Sequence, residues 1–265
     1  MGRRKFWEFR ARADNPKIGE LLLYGEISEA SWWGDEVTPK QFREELEALG
    51  DIEELRVYIN SPGGDVFAGQ AILSTLKRHK ARKVVYIDGL AASAASVVAM
   101  AGDVIRMPRN AMMMIHNVWT IVAGDANELR EVADALDRIT ESVVAAYEEK
   151  TGLDRDEIKR MMDAETWMTA EEAVELGFAD EIEESRAVAA SIRGDTLVVN
   201  GREVPLSRFK NPPRLAGVLE EATLQTPDEP AEGRGDRVGG DEDRERKLRL
   251  LELELELLSG SRFDF

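Results

Sequence analysis

The sequence contains no cysteine, which excludes disulfides, thiol catalysis and cysteine-ligated metal sites. It contains only two histidines, His79 and His116, so few side chains can act as a base near neutral pH. No run of eighteen consecutive apolar residues occurs, which leaves no candidate membrane span. The basic opening, MGRRKFWEFRARADNP, lacks the apolar stretch of a signal peptide. A soluble, cytoplasmic protein is therefore expected. Positive charge is in deficit, with 35 Lys and Arg against 52 Asp and Glu and a net charge of −17. No basic stripe offsets it, which argues against nucleic-acid binding.

Hydrophobic residues make up 43% of the 265 positions, enough for a buried core. Residues 1–17 carry six cationic side chains and three aromatics, and are expected to form a mobile basic arm. GELLLYGEI (19–27) reads as a strand, followed by a loop holding Trp32, Trp33 and Gly34. Thr38-Pro39 opens a helix as N-cap and first helical residue, with Phe42, Leu46 and Leu49 on one face. LRVYI (55–59) is a second strand and ends in the turn Asn60-Ser61-Pro62-Gly63-Gly64-Asp65. Helical spacing then runs from Val66 to about Lys80. The pattern repeats as a strand at 83–87, an elbow at Gly89, a small-residue helix at 93–101 and strands at 104–107 and 111–116. Strands alternating with helices imply parallel βαβ units, with functional loops at the strand C-terminal ends.

Asp125 caps a long helix reaching about Lys150, with Leu129, Val132, Leu136, Ile139, Val143 and Tyr147 as its apolar stripe. Asp154 caps a short helix, and a third ends at Gly177. Alternating apolar positions around Asn200-Gly201 indicate a β-hairpin extension over 187–211. Residues 212–265 form an acidic tail, largely disordered by expectation because residues 226–246 are rich in Asp, Glu, Gly and Arg and poor in apolar side chains. Within it, KLRLLELELELL (247–258) has helix-forming residues at a strand-like period of two, and reads as a partner-binding element.

A buried strand that restarts as an Ala/Ser-rich helix can hold a nucleophile where free backbone N–H groups face outward. Ser93 occupies that position in DGLAASAAS; Ser96, one turn later, is the rival serine, with helix packing as its default role. Serine needs a base within hydrogen-bond reach. His116 follows Met112–Ile115 at a strand terminus, whereas His79 sits at a helix end, where a solvated histidine favours the helix dipole. Pro62-Gly63-Gly64 permits a backbone conformation that aims N–H groups at a developing oxyanion.

The motifs YINSPGGD (58–65), GLAASAAS (89–96), MMIH (113–116) and TAEEAVELGFAD (169–180) together resemble the ClpP family of serine peptidases over about residues 20–183. The segment GEISEASWWGDEVTPKQF (25–42) resembles the branch carried by phages and prophages as head maturation (prohead) proteases. The resemblance implies the ClpP/crotonase α/β fold of repeated ββα units across a peptidase domain at 18–186. It implies Ser93 as nucleophile, His116 as general base, and the backbone N–H groups of Gly63 and Ala94 as the oxyanion hole. Where the family has an aspartate, ungapped matching from Thr169-Ala170 places Glu165, with Asp163 two residues earlier as the alternative acid. The resemblance also implies a homo-oligomeric ring, stacked through the long helix, and no metal or organic cofactor. Protein substrates are expected, namely capsid or scaffold proteins in the host cytoplasm or inside the prohead. Two competing functions share these residues: crotonase-type acyl-thioester chemistry, which dispenses with a Ser/His pair, and a non-catalytic ring-forming capsid assembly factor.

Overall fold

The computed structural model describes residues 5–28, 39–183, 190–193, 196–199 and 202–212. All of them belong to a compact unit spanning Met1–Leu215. The Trp32-Trp33 loop, the Thr38 cap, the acidic tail and its Leu-rich element lie outside the described residues.

The leader does not form a mobile arm along its whole length. Trp7–Ala11 forms strand β1, antiparallel to β2 (Ile18–Tyr24). The reason is aromatic: Phe6 and Trp7 are buried, and Trp7 and Phe9 both meet Phe42 edge-on, at 5.3 and 5.0 Å. Burial of Phe6 and Trp7, with Phe9 partly buried beside them, outweighs the solvation preference of the neighbouring arginines. Phe42 lies on helix α1 (Pro39–Glu47), which turns Phe42 and Leu46 to the core as its spacing predicts.

β3 (Glu54–Ser61) leads through the glycine turn to helix α2 (Val66–Arg78), capped by Asp65, whose carboxylate accepts from the Ala68 amide at 2.8 Å. β4 (Arg82–Ala92) is longer than expected and does not close at Gly89. Its register against β3 shifts between Ile59↔Ile87 and Ser61↔Ala91, so β4 carries extra residues there, and Gly89 (φ 141°) sits inside this bulge. The glycine marks an irregularity within the strand rather than its end. The chain turns only at Ser93, into helix α3 (Ala94–Ala99), all six residues of which are buried.

β5 (Val104–Pro108) pairs with the first half of β4, and β6 (Met112–Ile115) with its last three residues, Leu90–Ala92. β4 thus serves two neighbours in turn, and its final segment is the shared edge from which the site projects. Helix α4 (Ala126–Thr151) begins in a capping box between Asp125 and Glu128 and ends at Gly152 in the left-handed conformation. Helix α5 (Arg155–Asp163), strand β7 (Thr166–Thr169), helix α6 (Ala170–Glu175) and strand β8 (Glu181–Glu183) follow. The main sheet runs β1-β2-β3-β4-β5-β8, parallel from β2 onward, with β6 on β4 and β7 antiparallel to β6.

The predicted hairpin is present as β10 (Thr196–Val199) and β11 (Arg202–Pro205), joined by β9 (Ala190–Arg193) into three antiparallel strands. A 3-10 turn at Leu206–Arg208 follows. No helix among the described residues is long and apolar enough to cross a membrane.

Candidate active site

Ser93 stands at the strand-to-helix turn with φ 56° and ψ −128°. Among the described residues only Ser93 and Glu165 (φ 51°) are non-glycine residues with positive φ. Such conformations persist only where the surroundings hold them. The Ser93 amide donates to the Met114 carbonyl at 2.9 Å, extending the β4–β6 pairing by one residue. That bond brings the end of β4 beside the end of β6. His116, just beyond β6, then lies with Nε2 2.8 Å from Ser93 Oγ.

His116 is largely buried, and its desolvation holds the imidazole below the ordinary histidine pKa, while the Glu165 carboxylate pulls less strongly in the opposite direction. A neutral imidazole at pH 7 can accept the serine proton at Nε2. Ser96, by contrast, is fully buried; its hydroxyl donates to the Ser93 carbonyl at 2.6 Å and lies 2.8 Å from the Tyr147 hydroxyl. It holds α3 against α4 and braces the turn that carries Ser93. His79, the C-cap of α2, accepts from the Ala81 amide.

The glycine turn is stapled to the chain after β2: Ile27 donates to the Gly63 carbonyl, and Asp65 donates to the Ile27 carbonyl, each at 2.8 Å. A Cβ on Gly63 would stand 2.6 Å from Ser93 Cβ and 3.0 Å from the Ala94 nitrogen, and one on Gly64 would stand 1.9 Å from the Ile27 oxygen. Both positions therefore require glycine, and a side chain at Gly63 would crowd the Ala94 amide. The Gly63 amide itself, expected as an oxyanion donor, is turned onto Ser61 Oγ at 3.1 Å. Ser61 Oγ in turn donates to the Gly25 carbonyl at 2.6 Å, fixing the turn from beneath. Gly63, Gly64, Ser93, Ala94 and His116 line one cavity of about 670 Å³. Its far wall is apolar, formed by Val132, Leu136, Ile139 and Val143 of α4.

The two carboxylates differ. Asp163 Oδ1 accepts from Asn117 Nδ2 at 2.7 Å. Glu165 is buried, and its oxygens accept from the backbone amides of Lys210 and Asn211, each at 2.7 Å, and from Trp167 Nε1 at 3.3 Å. Among the described residues neither carboxylate hydrogen-bonds the imidazole; Asp163, Glu165 and His116 face one another across a second cavity of about 250 Å³. Sequence reading names Ser93, His116, Glu165 and Asp163 as candidates, but not the contacts made by Ser61, Tyr147 and the amides of residues 210 and 211. The serine in INSPGG was visible as a motif residue; nothing local signals the other contacts.

A family model described as Clp protease matches residues 37–186. The chain belongs to the Clp protease family. The ATP-dependent Clp protease proteolytic subunit 2 of Treponema denticola is 32% identical over 172 residues, 63% of this chain and 82% of that protein. Within this Clp protease chain the matched segment contains the glycine turn, Ser93, His116 and both carboxylates, and stops short of β9–β11 and residues 206–211.

Proposed function

We propose that this Clp protease cleaves polypeptides through an acyl-enzyme at Ser93, with His116 as base and Glu165 as the acid of the triad. The observation that carries the reading is the 2.8 Å contact between Ser93 Oγ and His116 Nε2 at a strained elbow. Ser93 Oγ attacks the scissile carbonyl carbon while its proton passes to His116 Nε2. The carbonyl oxygen becomes an oxyanion facing the Ala94 amide. Because Gly63 spends its amide on Ser61, the second donor is assigned to Gly64, which lines the same cavity. His116 then returns the proton to the leaving amine, and water repeats the sequence to release the acyl group. Glu165 orients the imidazole and stabilises its cation; the open geometry suits a hydrogen bond that tightens when substrate fills the cavity. Asp163 is the weaker assignment, since Asn117 holds it. The apolar wall of α4 favours an apolar side chain on the acyl side of the cleaved bond.

The finer biological reading is a ring of identical subunits that processes capsid or scaffold proteins during phage head maturation, in the host cytoplasm or the prohead. It is supported by the resemblance of residues 25–42 to the phage branch. A second reading, a ring-forming assembly factor without activity, draws on the open His116–Glu165 geometry. A fluorophosphonate probe followed by peptide mapping separates the two. Stoichiometric labelling at Ser93, lost in His116→Ala, is the expected result. Labelling at Ser96 would replace the nucleophile, and an unlabelled protein would favour the assembly factor.

A further inference from the structure

We infer that the segment after β11 is part of the catalytic apparatus, with the backbone amides of Lys210 and Asn211 positioning the Glu165 carboxylate. This rests on the reading of Glu165 as the triad acid. A buried carboxylate is costly unless hydrogen bonds replace its water. Glu165 meets that requirement almost wholly from one place, with Oε2 on the Lys210 amide and Oε1 on the Asn211 amide, each at 2.7 Å. A carboxylate offers about four acceptor sites. Two amides and the Trp167 indole use three, which leaves one for the imidazole N–H of His116.

The segment is held in place by packing and by further bonds to the same turn. Lys210 Nζ reaches the Asp163 carbonyl at 3.1 Å, and Asn211 Nδ2 the Ala164 carbonyl at 3.4 Å. Val204 and Leu206 are buried in a small cluster with Leu90, Ala92 and Met114, and Phe209 meets Trp167 edge-on at 5.2 Å. Ala92 immediately precedes Ser93, Met114 is two residues before His116, and Trp167 is two residues after Glu165. One stretch therefore packs against all three strands that carry the site, and it lies beyond the residues 37–186 matched to the family. Backbone amides are well suited to this task, because they point a carboxylate without adding a charge to compete for the imidazole.

The test removes the Lys210 amide, with Lys210→Ala as the control that loses the same side-chain contact to the Asp163 carbonyl but keeps the N–H. Phe209 is already extended (φ −105°, ψ 143°), the conformation required before proline, so Lys210→Pro deletes the N–H without rearranging the preceding residue. Peptide kcat/KM and the rate of fluorophosphonate labelling at Ser93 are measured against pH in the full chain carrying Lys210→Pro, Glu165→Ala, both or neither. Lys210→Pro is expected to lower both rates by about 10- to 100-fold. Asp163, Glu165, Arg208 and Lys210 share the smaller cavity with His116, and among them Glu165 is the group that raises the imidazole pKa. A misplaced Glu165 should therefore move the acid limb of the profile to lower pH. In the Glu165→Ala background Lys210→Pro should cost nothing more. An equal loss in both backgrounds, or an unmoved acid limb, would reduce the segment to a structural role and overturn the inference. Should Lys210→Pro not fold, Asn211→Pro puts the same question at the other oxygen, with the same two outcomes. Wild-type protein that labels normally, beside a Lys210→Pro variant that labels equally fast, would sink the inference alone. An unlabelled wild type would sink the peptidase reading with it.

Discussion

The Ser93–His116 pair and the Glu165 carboxylate are supported in different ways. The pair is a product of the central sheet: parallel pairing of Leu90–Ala92 with Met112–Met114, continued by the Ser93 amide on Met114, sets the two side chains 2.8 Å apart. Glu165 sits on the turn between α5 and β7, with its oxygens taken by amides 45 and 46 residues further along the chain. One half of the site is closed by strand register and the other is held by a segment docked from the C-terminal side. Strand register is hard to perturb, because a slip moves every side chain to the other face. A docked segment of a few residues opens at much lower cost.

The largest effect should therefore come from the sheet-built half. His116→Ala is expected to lower peptide kcat/KM by about 10⁴-fold or more, with the melting temperature little changed. Glu165→Ala should cost about 10²-fold, and an equal loss in the two variants, measured on one peptide substrate, would erase the distinction between the halves. Gly63→Ala tests the elbow that both halves share. Its Cβ has no room beside Ala92, Ser93 and Ala94, and φ of 89° adds strain. A stability loss of about 2 kcal/mol in urea unfolding, with labelling abolished, is expected.

The pH profile sharpens the comparison further. Burial lowers the His116 pKa, so kcat/KM should fall on the acid side only below the ordinary histidine value of 6.5. The lost form is the neutral base, so the rate declines as pH falls through the depressed pKa. Removing Glu165 removes the one opposing influence and should carry the limb lower still. The smallest effect should come from Tyr147→Phe, which deletes the 2.8 Å contact with Ser96 while leaving Ser96 on the Ser93 carbonyl. About 1 kcal/mol of stability should be lost, read from chemical denaturation, with Ser93 labelling within about twofold of wild type.

Much of this was legible before any coordinates. The parallel βαβ core, the Asp125 and Asp154 caps, the helix end at Gly177 and the hairpin at 196–205 follow from periodicity and capping residues. Ser93 and His116 stood out because both fall at strand ends. The errors share a cause. β1 reads as an arm because its arginines dominate the local pattern, although Trp7 and Phe9 decide its fate by packing on Phe42 of α1. β4 was cut short at Gly89, since a glycine inside a bulge looks the same in sequence as one at a strand end. β7 is four residues long and too short for its period to register.

Local residue patterns by themselves determined most strands and helices, β1 and β7 excepted, where helices start, and which serine and histidine stand at strand ends. Those properties depend on residues within a few positions of one another. Tertiary structure alone decided that the Gly63 amide turns inward to Ser61, that the Ser96 hydroxyl meets the Ser93 carbonyl and Tyr147, and that Lys210 and Asn211 meet Glu165. Each of those outcomes rests on a backbone or buried polar group finding its hydrogen-bond partner. Burial makes such partners obligatory, but only the folded chain determines which groups are within reach.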